Sequence, residues 1–224
     1  MRDLETLGQV TTRDGHELVL YCRGDRYQIR LNGLELMTSE AHGSEEAMGE
    51  MAREALEHVL APRVLIGGLG MGFTLRAALD AFGASAEVVV AEVFPEVVKW
   101  NRGPLAHLAN RPMDDPRVRV VEADVNTLLE EEAFDAILLD VDNGPTAFTL
   151  DSNGALYNAR GIERLAAALT PGGALVVWSS DEAPNFERRL RRAGLEVTRR
   201  DVPACGADGG PLHTLYRAVS IGRS

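Results

Sequence analysis

The chain has 224 residues, 45% of them apolar and 25% charged, and a formal charge of −11. That leaves room for one full core with a small appended lobe, too little for two independent domains of usual size, and no resemblance to a disordered tail. The acidic balance works against a nucleic-acid partner, whose phosphates it would repel, and suits a small cationic substrate.

No apolar run approaches membrane-spanning length, and the opening Met1-Arg2-Asp3-Leu4-Glu5 lacks the basic-then-apolar layout of a leader. The expectation is a cytoplasmic chain with no membrane partner. Cys22 and Cys205 stand far apart without metal-ligand spacing, so neither a disulfide framework nor a metal site is expected.

In chain order, short β-type runs at 17–22, 27–31 and 34–37 are split by the turn signals Arg23-Gly24-Asp25 and Asn32-Gly33. They predict a small antiparallel lobe over residues 1–43. Residues 44–60 carry apolar positions at helical spacing, with Ser44 as N-cap, Glu45 and Glu46 in the first turn, and Pro62 closing the helix.

Beyond Pro62, unbroken apolar runs at 64–66, 87–91, 118–121, 136–139 and 174–178 alternate with amphipathic stretches at 73–82, 95–101, 127–132, 158–169 and 184–193. That is the pattern of a parallel sheet covered on both faces. Two further runs, 195–200 and 214–220, lack a helix between them and predict an antiparallel pair at one edge. The expected fold is α/β: a seven-stranded, mostly parallel, Rossmann-like sheet in residues 44–224, with the β lobe of residues 1–43 attached.

The first strand of that sheet runs into Gly67-Gly68-Leu69-Gly70-Met71-Gly72 and then a helix, so the glycines lie where open α/β sheets bind ligands. A glycine turn alone is weak evidence. Glu92 ends the second strand, where a carboxylate can accept both hydroxyl protons of a ribose, and Asp124 follows the third, within reach of an adenine amino group. Each acid alone could equally be a turn or cap residue. Taken together, Gly67, Gly68, Gly70, Gly72, Glu92 and Asp124 point to a nucleoside site. Phe73 occupies the slot of the third glycine in G-x-G-x-x-G, which argues against a nicotinamide cofactor, and no Gly-Lys-Ser or Gly-Lys-Thr marks a P-loop.

The fourth strand opens into Asp140-Val141-Asp142-Asn143-Gly144-Pro145. If the nucleoside is a sulfonium, the protein's work is alignment and exclusion of water. An amine acceptor arrives protonated, with a reference pKa of about 10.4, and must lose that proton before it attacks. Asp140 is the candidate to hold the amine and assist its deprotonation, while Asp142 and Asn143 either orient it or form the turn. Glu40, His42, Ser44 and Glu45 stand before the first long helix as a candidate lid or acceptor wall. Tyr157 either faces the acceptor or packs before its helix. His16, His58, His107 and His213 read as surface or packing residues.

On these motifs the sequence resembles the spermidine synthase family of polyamine aminopropyltransferases, within the class I S-adenosylmethionine-dependent methyltransferase superfamily. The resemblance spans residues 34–219 and is best at 65–76, 90–98, 115–124, 135–140 and 169–177. It implies ribose binding by Glu92, adenine contact by Asp124, catalysis by Asp140, and a homodimer through the N-terminal lobe. Three departures stand out. Met71 replaces an Asp that would hold the aminopropyl amine, Gly43-Ser44-Glu45 replaces Tyr-His-Glu, and Asp140-Val141-Asp142-Asn143-Gly144 shortens D-x-x-D-P. Losing the acid at position 71 lessens discrimination against the carboxylate of intact S-adenosylmethionine. Methyl transfer from S-adenosylmethionine to a small amine or other nucleophile is therefore the first expectation. Aminopropyl transfer from its decarboxylated form is the alternative, and a non-catalytic nucleoside-binding protein the third.

Overall fold

Positive-φ residues at Gly24, Asn32 and Gly33 permit the two tight turns that the sequence places in its first forty residues. In the computed structural model, which describes residues 3–12, 15–131, 133–141, 144–145 and 151–221, these turns join β2 (Glu17–Arg23), β3 (Arg26–Leu31) and β4 (Leu34–Thr38). A further strand, β1 (Glu5–Thr11), pairs with β2. The four strands form one antiparallel sheet in sequence order. The sequence hid β1 because it is exposed along most of its length and so carries no alternation of apolar and polar residues.

The rest alternates as expected: α1 (Gly43–Ala55), β5 (Arg63–Gly67), α2 (Phe73–Ala81), β6 (Glu87–Ala91), α3 (Pro95–Arg102), β7 (Val118–Val121), α4 (Val125–Glu131) and β8 (Phe134–Leu139). Then follow α5 (Asp151–Tyr157), α6 (Ala159–Ala168), β9 (Leu169–Ser179), α7 (Pro184–Arg192), β10 (Leu195–Pro203) and β11 (Leu212–Ser220). The second sheet has seven strands in the order β10-β11-β9-β8-β5-β6-β7. β5 to β9 run parallel, while β11 is antiparallel to both β9 and β10 and leaves β10 at the edge. The strand order reverses beside β5, so the crevice beyond the carboxyl ends of β5 and β8 is the place for a ligand.

Two local expectations change. Helix α1 ends at Ala55 rather than at residue 60: the Leu56 N–H caps it on Ala52 and Arg53 carbonyls, and the Arg53 guanidinium donates to the Leu56 carbonyl. Leu60, counted in the apolar pattern, is 88% exposed. Ser44 lies inside the first turn, with His42 at the N-cap position and no side-chain cap bond, so the Ser44 hydroxyl is available elsewhere. Further on, α5 was not expected, and β9 begins five residues early through a bulge between its Phe134 and Ala136 partners on β8.

One buried cluster joins the two sheets: Leu18, Leu20, Ile29 and Leu31 of the lobe pack with Met48 and Met51 of α1 and with Val64, Ile66, Ala136 and Leu138 of the large sheet. A second cluster on the opposite face holds Leu65, Ile137, Leu139, Leu156, Tyr157 and Phe186. Because the lobe shares a core with the large sheet, Ile29→Ala is expected to cost about 2–5 kcal/mol. Urea unfolding followed by far-ultraviolet circular dichroism and by tryptophan fluorescence should still give coincident transitions, since Trp100 packs in the same cluster. A separate early loss of strand signal would show that the lobe melts independently.

Candidate active site

The glycine loop after β5 is shaped by its contacts. Gly68 has φ of +89°, and a Cβ there would come within 2.3 Å of the Asp140 carbonyl oxygen. Gly70, at φ +51°, would press a Cβ to 2.8 Å from the Met37 sulfur. Any side chain at either position would therefore displace a wall of the site. Gly68 and Gly70 line the cavity; Gly67 and Gly72 are not among its lining residues. Their part is to build the loop. The Gly67 carbonyl accepts the Asp140 N–H at 3.0 Å, and Gly72, at φ +86°, occupies the N-cap of α2. The buried Asn101 of α3 clamps the loop from below, its amide donating to the Gly70 carbonyl at 2.8 Å and to Val97 at 2.9 Å.

The cavity lies between the carboxyl ends of the parallel strands and the inner face of the N-terminal lobe. Glu92, Asp124 and Asp140 line it from the large sheet, Leu36 and Met37 from β4, Glu45 from α1 and Trp178 from β9. Glu92 is 6% exposed and held at both oxygens, Oε2 accepting the Leu69 N–H and Oε1 the Phe94 N–H, each at 2.9 Å. Burial raises its pKa against the pull of these donors. Asp124 is half-buried, and its Oδ1 accepts from the Asn126 backbone at 2.8 Å and side chain at 2.9 Å. It is thus both a turn acid opening α4 and a cavity wall.

At the other end stand Asp140 and Glu45. Thr74, in the first turn of α2, donates its hydroxyl to Asp140 Oδ2 at 2.5 Å; burial raises the Asp140 pKa and this hydrogen bond opposes the rise. The Glu45 carboxyl is pushed up to about 8, first by burial and then by the charge of Asp140. Behind Glu45 the fully buried Ser44 gathers three partners: its Oγ is 2.6 Å from Glu45 Oε2, 3.0 Å from His213 Nδ1, and 3.0 Å from the indole Nε1–H of Trp178, which donates to it. The Trp178 and His213 rings pack edge to face, 4.6 Å apart.

The expected site residues therefore divide. Gly68, Gly70, Glu92, Asp124, Asp140 and Glu45 converge on one cavity. Asp142 and Asn143 lie outside the described residues. Tyr157 is not among the lining residues: it is 1% exposed, edge-on to Phe186 at 5.6 Å in the second core cluster, because its apolar ring is worth more in that core than at a wet wall. Glu40 pairs with Arg26 at 3.1 Å on the surface, and His42 stacks on Phe73 at 4.3 Å with Glu46 beside its Nδ1, so neither forms the acceptor wall. His213, read as surface or packing, instead reaches Ser44 across the sheet. Thr74, Asn101 and Trp178 were missed; only Trp178 gave a signal, as an indole donor closing an apolar run at a strand's carboxyl end. Met71 is wholly buried in the core and absent from the cavity wall.

No family model matches the chain. It is 32% identical over 155 residues to polyamine aminopropyltransferase 1 of Streptomyces coelicolor, covering 64% of this chain and 28% of that protein. It is 30% identical over 199 residues to the polyamine aminopropyltransferase of Mycobacterium tuberculosis, covering 81% and 35% respectively. The chain thus spans about a third of the length of these relatives. Among solved structures, the spermidine synthase of Thermotoga maritima superposes with a TM-score of 0.75 at 19% identity, over 97% of this chain and 74% of that one. A spermidine synthase in complex with the transition-state analogue AdoDATO gives 0.74 at 19% identity, over 97% and 73%. In sequence this chain is thus similar to polyamine aminopropyltransferases, and in fold it is spermidine synthase-like, with a methyltransferase-like architecture.

Proposed function

We propose that the chain transfers an aminopropyl group from decarboxylated S-adenosylmethionine to a small amine. The observation that carries this reading is the cavity itself, which sets Glu92 and Asp124 against the glycine loop at one end and the Asp140–Glu45 pair at the other. The names of the relatives support aminopropyl transfer over the methyl transfer expected from position 71.

The residues present fit a nucleoside sulfonium. Gly68 and Gly70 let the loop backbone itself form the cavity wall, Glu92 supplies buried acceptor oxygens for ribose hydroxyls, and Asp124 an acceptor for an amino group. Bound there, the sulfonium supplies an activated propyl carbon and a thioether leaving group. The protein's own work lies at the amine. Asp140, fixed by Thr74, and Glu45 present two carboxyls to an arriving ammonium; the cation favours their ionised forms, and one of them takes the proton that must leave nitrogen before it attacks. The apolar wall of Leu36, Met37, Val141 and Trp178 excludes water from the displacement.

Two measurements test this. Calorimetry with S-adenosylmethionine and its decarboxylated form, followed by mass spectrometry of an amine and polyamine panel, should show tighter binding of the decarboxylated form and a mass gain of one aminopropyl group; a methyl gain would overturn the reading. In the same assay Asp140→Asn should lower turnover by about 100-fold or more while leaving nucleoside affinity unchanged. Parallel losses would place Asp140 in the nucleoside site instead.

The buried carboxyls also set a pH dependence. The Glu45 pKa is higher folded than unfolded, so its contribution to stability is fully present below about 4.5 and is lost as pH rises through about 8. Between these limits the empty protein should lose stability with rising pH, and Glu45→Gln should flatten that slope in urea titrations. An unchanged slope would mean that Glu45 titrates in its ordinary range.

A further inference from the structure

The Ser44 hydroxyl has one proton to donate and two lone pairs to accept with. Trp178 Nε1–H is a donor only and lies 3.0 Å away, so it fills one lone pair whatever the protonation of the site. One donor and one acceptor position remain, and the two other neighbours are Glu45 Oε2 at 2.6 Å and His213 Nδ1 at 3.0 Å. Two proton placements satisfy the same heavy-atom positions. With Glu45 protonated, its carboxyl O–H donates to Ser44 and Ser44 donates to an unprotonated His213 Nδ1. With Glu45 ionised, Ser44 donates to the carboxylate and His213 Nδ1–H donates to Ser44. In both, every lone pair and proton on the buried oxygen is used. Ser44 can therefore only pass a proton along, one in and one out.

We propose that Ser44 and His213 form a proton outlet for the acceptor site, carrying to solvent the proton that Glu45 takes from the bound ammonium. The proposal rests on the aminopropyl-transfer reading, which requires an amine to be deprotonated. The steps balance. An N–H bond of the ammonium breaks as an O–H bond forms on Glu45. The Glu45 proton moves to Ser44 Oγ while the Ser44 proton moves to His213 Nδ1, and the half-buried imidazole releases a proton from Nε2 to water. One proton leaves nitrogen and one reaches solvent. The cycle closes when the imidazole exchanges its remaining proton with water and returns to the Nε2–H form.

The surroundings suit this direction. Around Glu45 the charged groups are Asp140 and Glu46, both of which oppose a second negative charge and favour its holding a proton while the site is empty. Burial lowers the His213 pKa and Asp181 opposes that shift, so the ring is available as an acceptor near neutrality. Thr214, next along β11, is tied to Asp201 at 3.0 Å. Position is secured from two sides. The Gly43 N–H donates to the Ala204 carbonyl at 2.8 Å, and a Cβ on Gly43 would meet the Gly206 nitrogen at 2.2 Å, so the turn joining β10 to β11 lies directly on the first turn of α1.

The test uses the full chain labelled with nitrogen-15 in its histidines, the His213 signals being assigned by their loss in His213→Gln. The His213 titration midpoint should shift in both Ser44→Ala and Glu45→Gln relative to the parent. An identical midpoint in all three overturns the outlet. In turnover assays His213→Gln, which keeps an acceptor for Ser44 but cannot relay, should fall at least about tenfold, as for loss of a proton-transfer group. Added imidazole should restore part of that loss in His213→Gln but not in Ser44→Ala, with nucleoside affinity unchanged throughout. Parent-like turnover and pH profile in His213→Gln overturn the outlet alone. A parent chain that shows the coupled titration yet aminopropylates no amine overturns the functional reading and the outlet's role with it.

Discussion

The site depends on one close approach of backbone to backbone. Where Gly68 passes the end of β8, a methyl group would stand 2.3 Å from the Asp140 carbonyl, and the Asp140 N–H returns to the Gly67 carbonyl at 3.0 Å. Because nothing larger than hydrogen fits, the glycine loop and the catalytic candidate are held in fixed register by the main chain rather than by side chains that could rotate away. Thr74 and Asn101 then act on a frame already set, one fixing the Asp140 carboxyl and the other the Gly70 carbonyl.

That frame also explains why carboxyls gather. Parallel strands deliver their carboxyl ends to one rim, and Glu92, Asp124 and Asp140 each follow a strand there. Burial raises the pKa of Glu92, Asp140 and Glu45, a cost that folding alone would not favour and that a cationic ligand of the kind proposed would offset. Glu92 has its charge spread over backbone donors, whereas Glu45 has a hydroxyl and an acidic neighbour. The first environment suits a fixed acceptor of hydrogen bonds, and the second a group that changes protonation.

Much of this was legible in the sequence because it follows from local pattern. Unbroken apolar runs gave the parallel strands, and the glycines, Glu92, Asp124 and Asp140 sit at strand ends that such runs define. What stayed hidden needed tertiary contact. Nothing about Thr74 distinguishes it from any polar residue in a helix's first turn. Ser44 looked like a cap because cap and interior first-turn positions share a composition, and only the start of α1 at Gly43 turns its hydroxyl inward. The facing of Tyr157, left open between acceptor and core, and of Met71 was hidden for the same reason: which way a residue faces is fixed by the neighbour it packs on, and both belong to cores formed by distant segments.

His213 is 169 residues from Ser44 in sequence, and the distance is closed by the paired glycines at 43 and 206. An edge hairpin in a twisted sheet is ordinarily the part most free to drift in sequence and length, since it carries little of the core. Here the turn between β10 and β11 has lost that freedom. An insertion that lengthened it, harmless to the sheet, would slide the imidazole out of register with the hydroxyl. The outermost strands of this fold are thereby placed under the same constraint on length as its glycine loop.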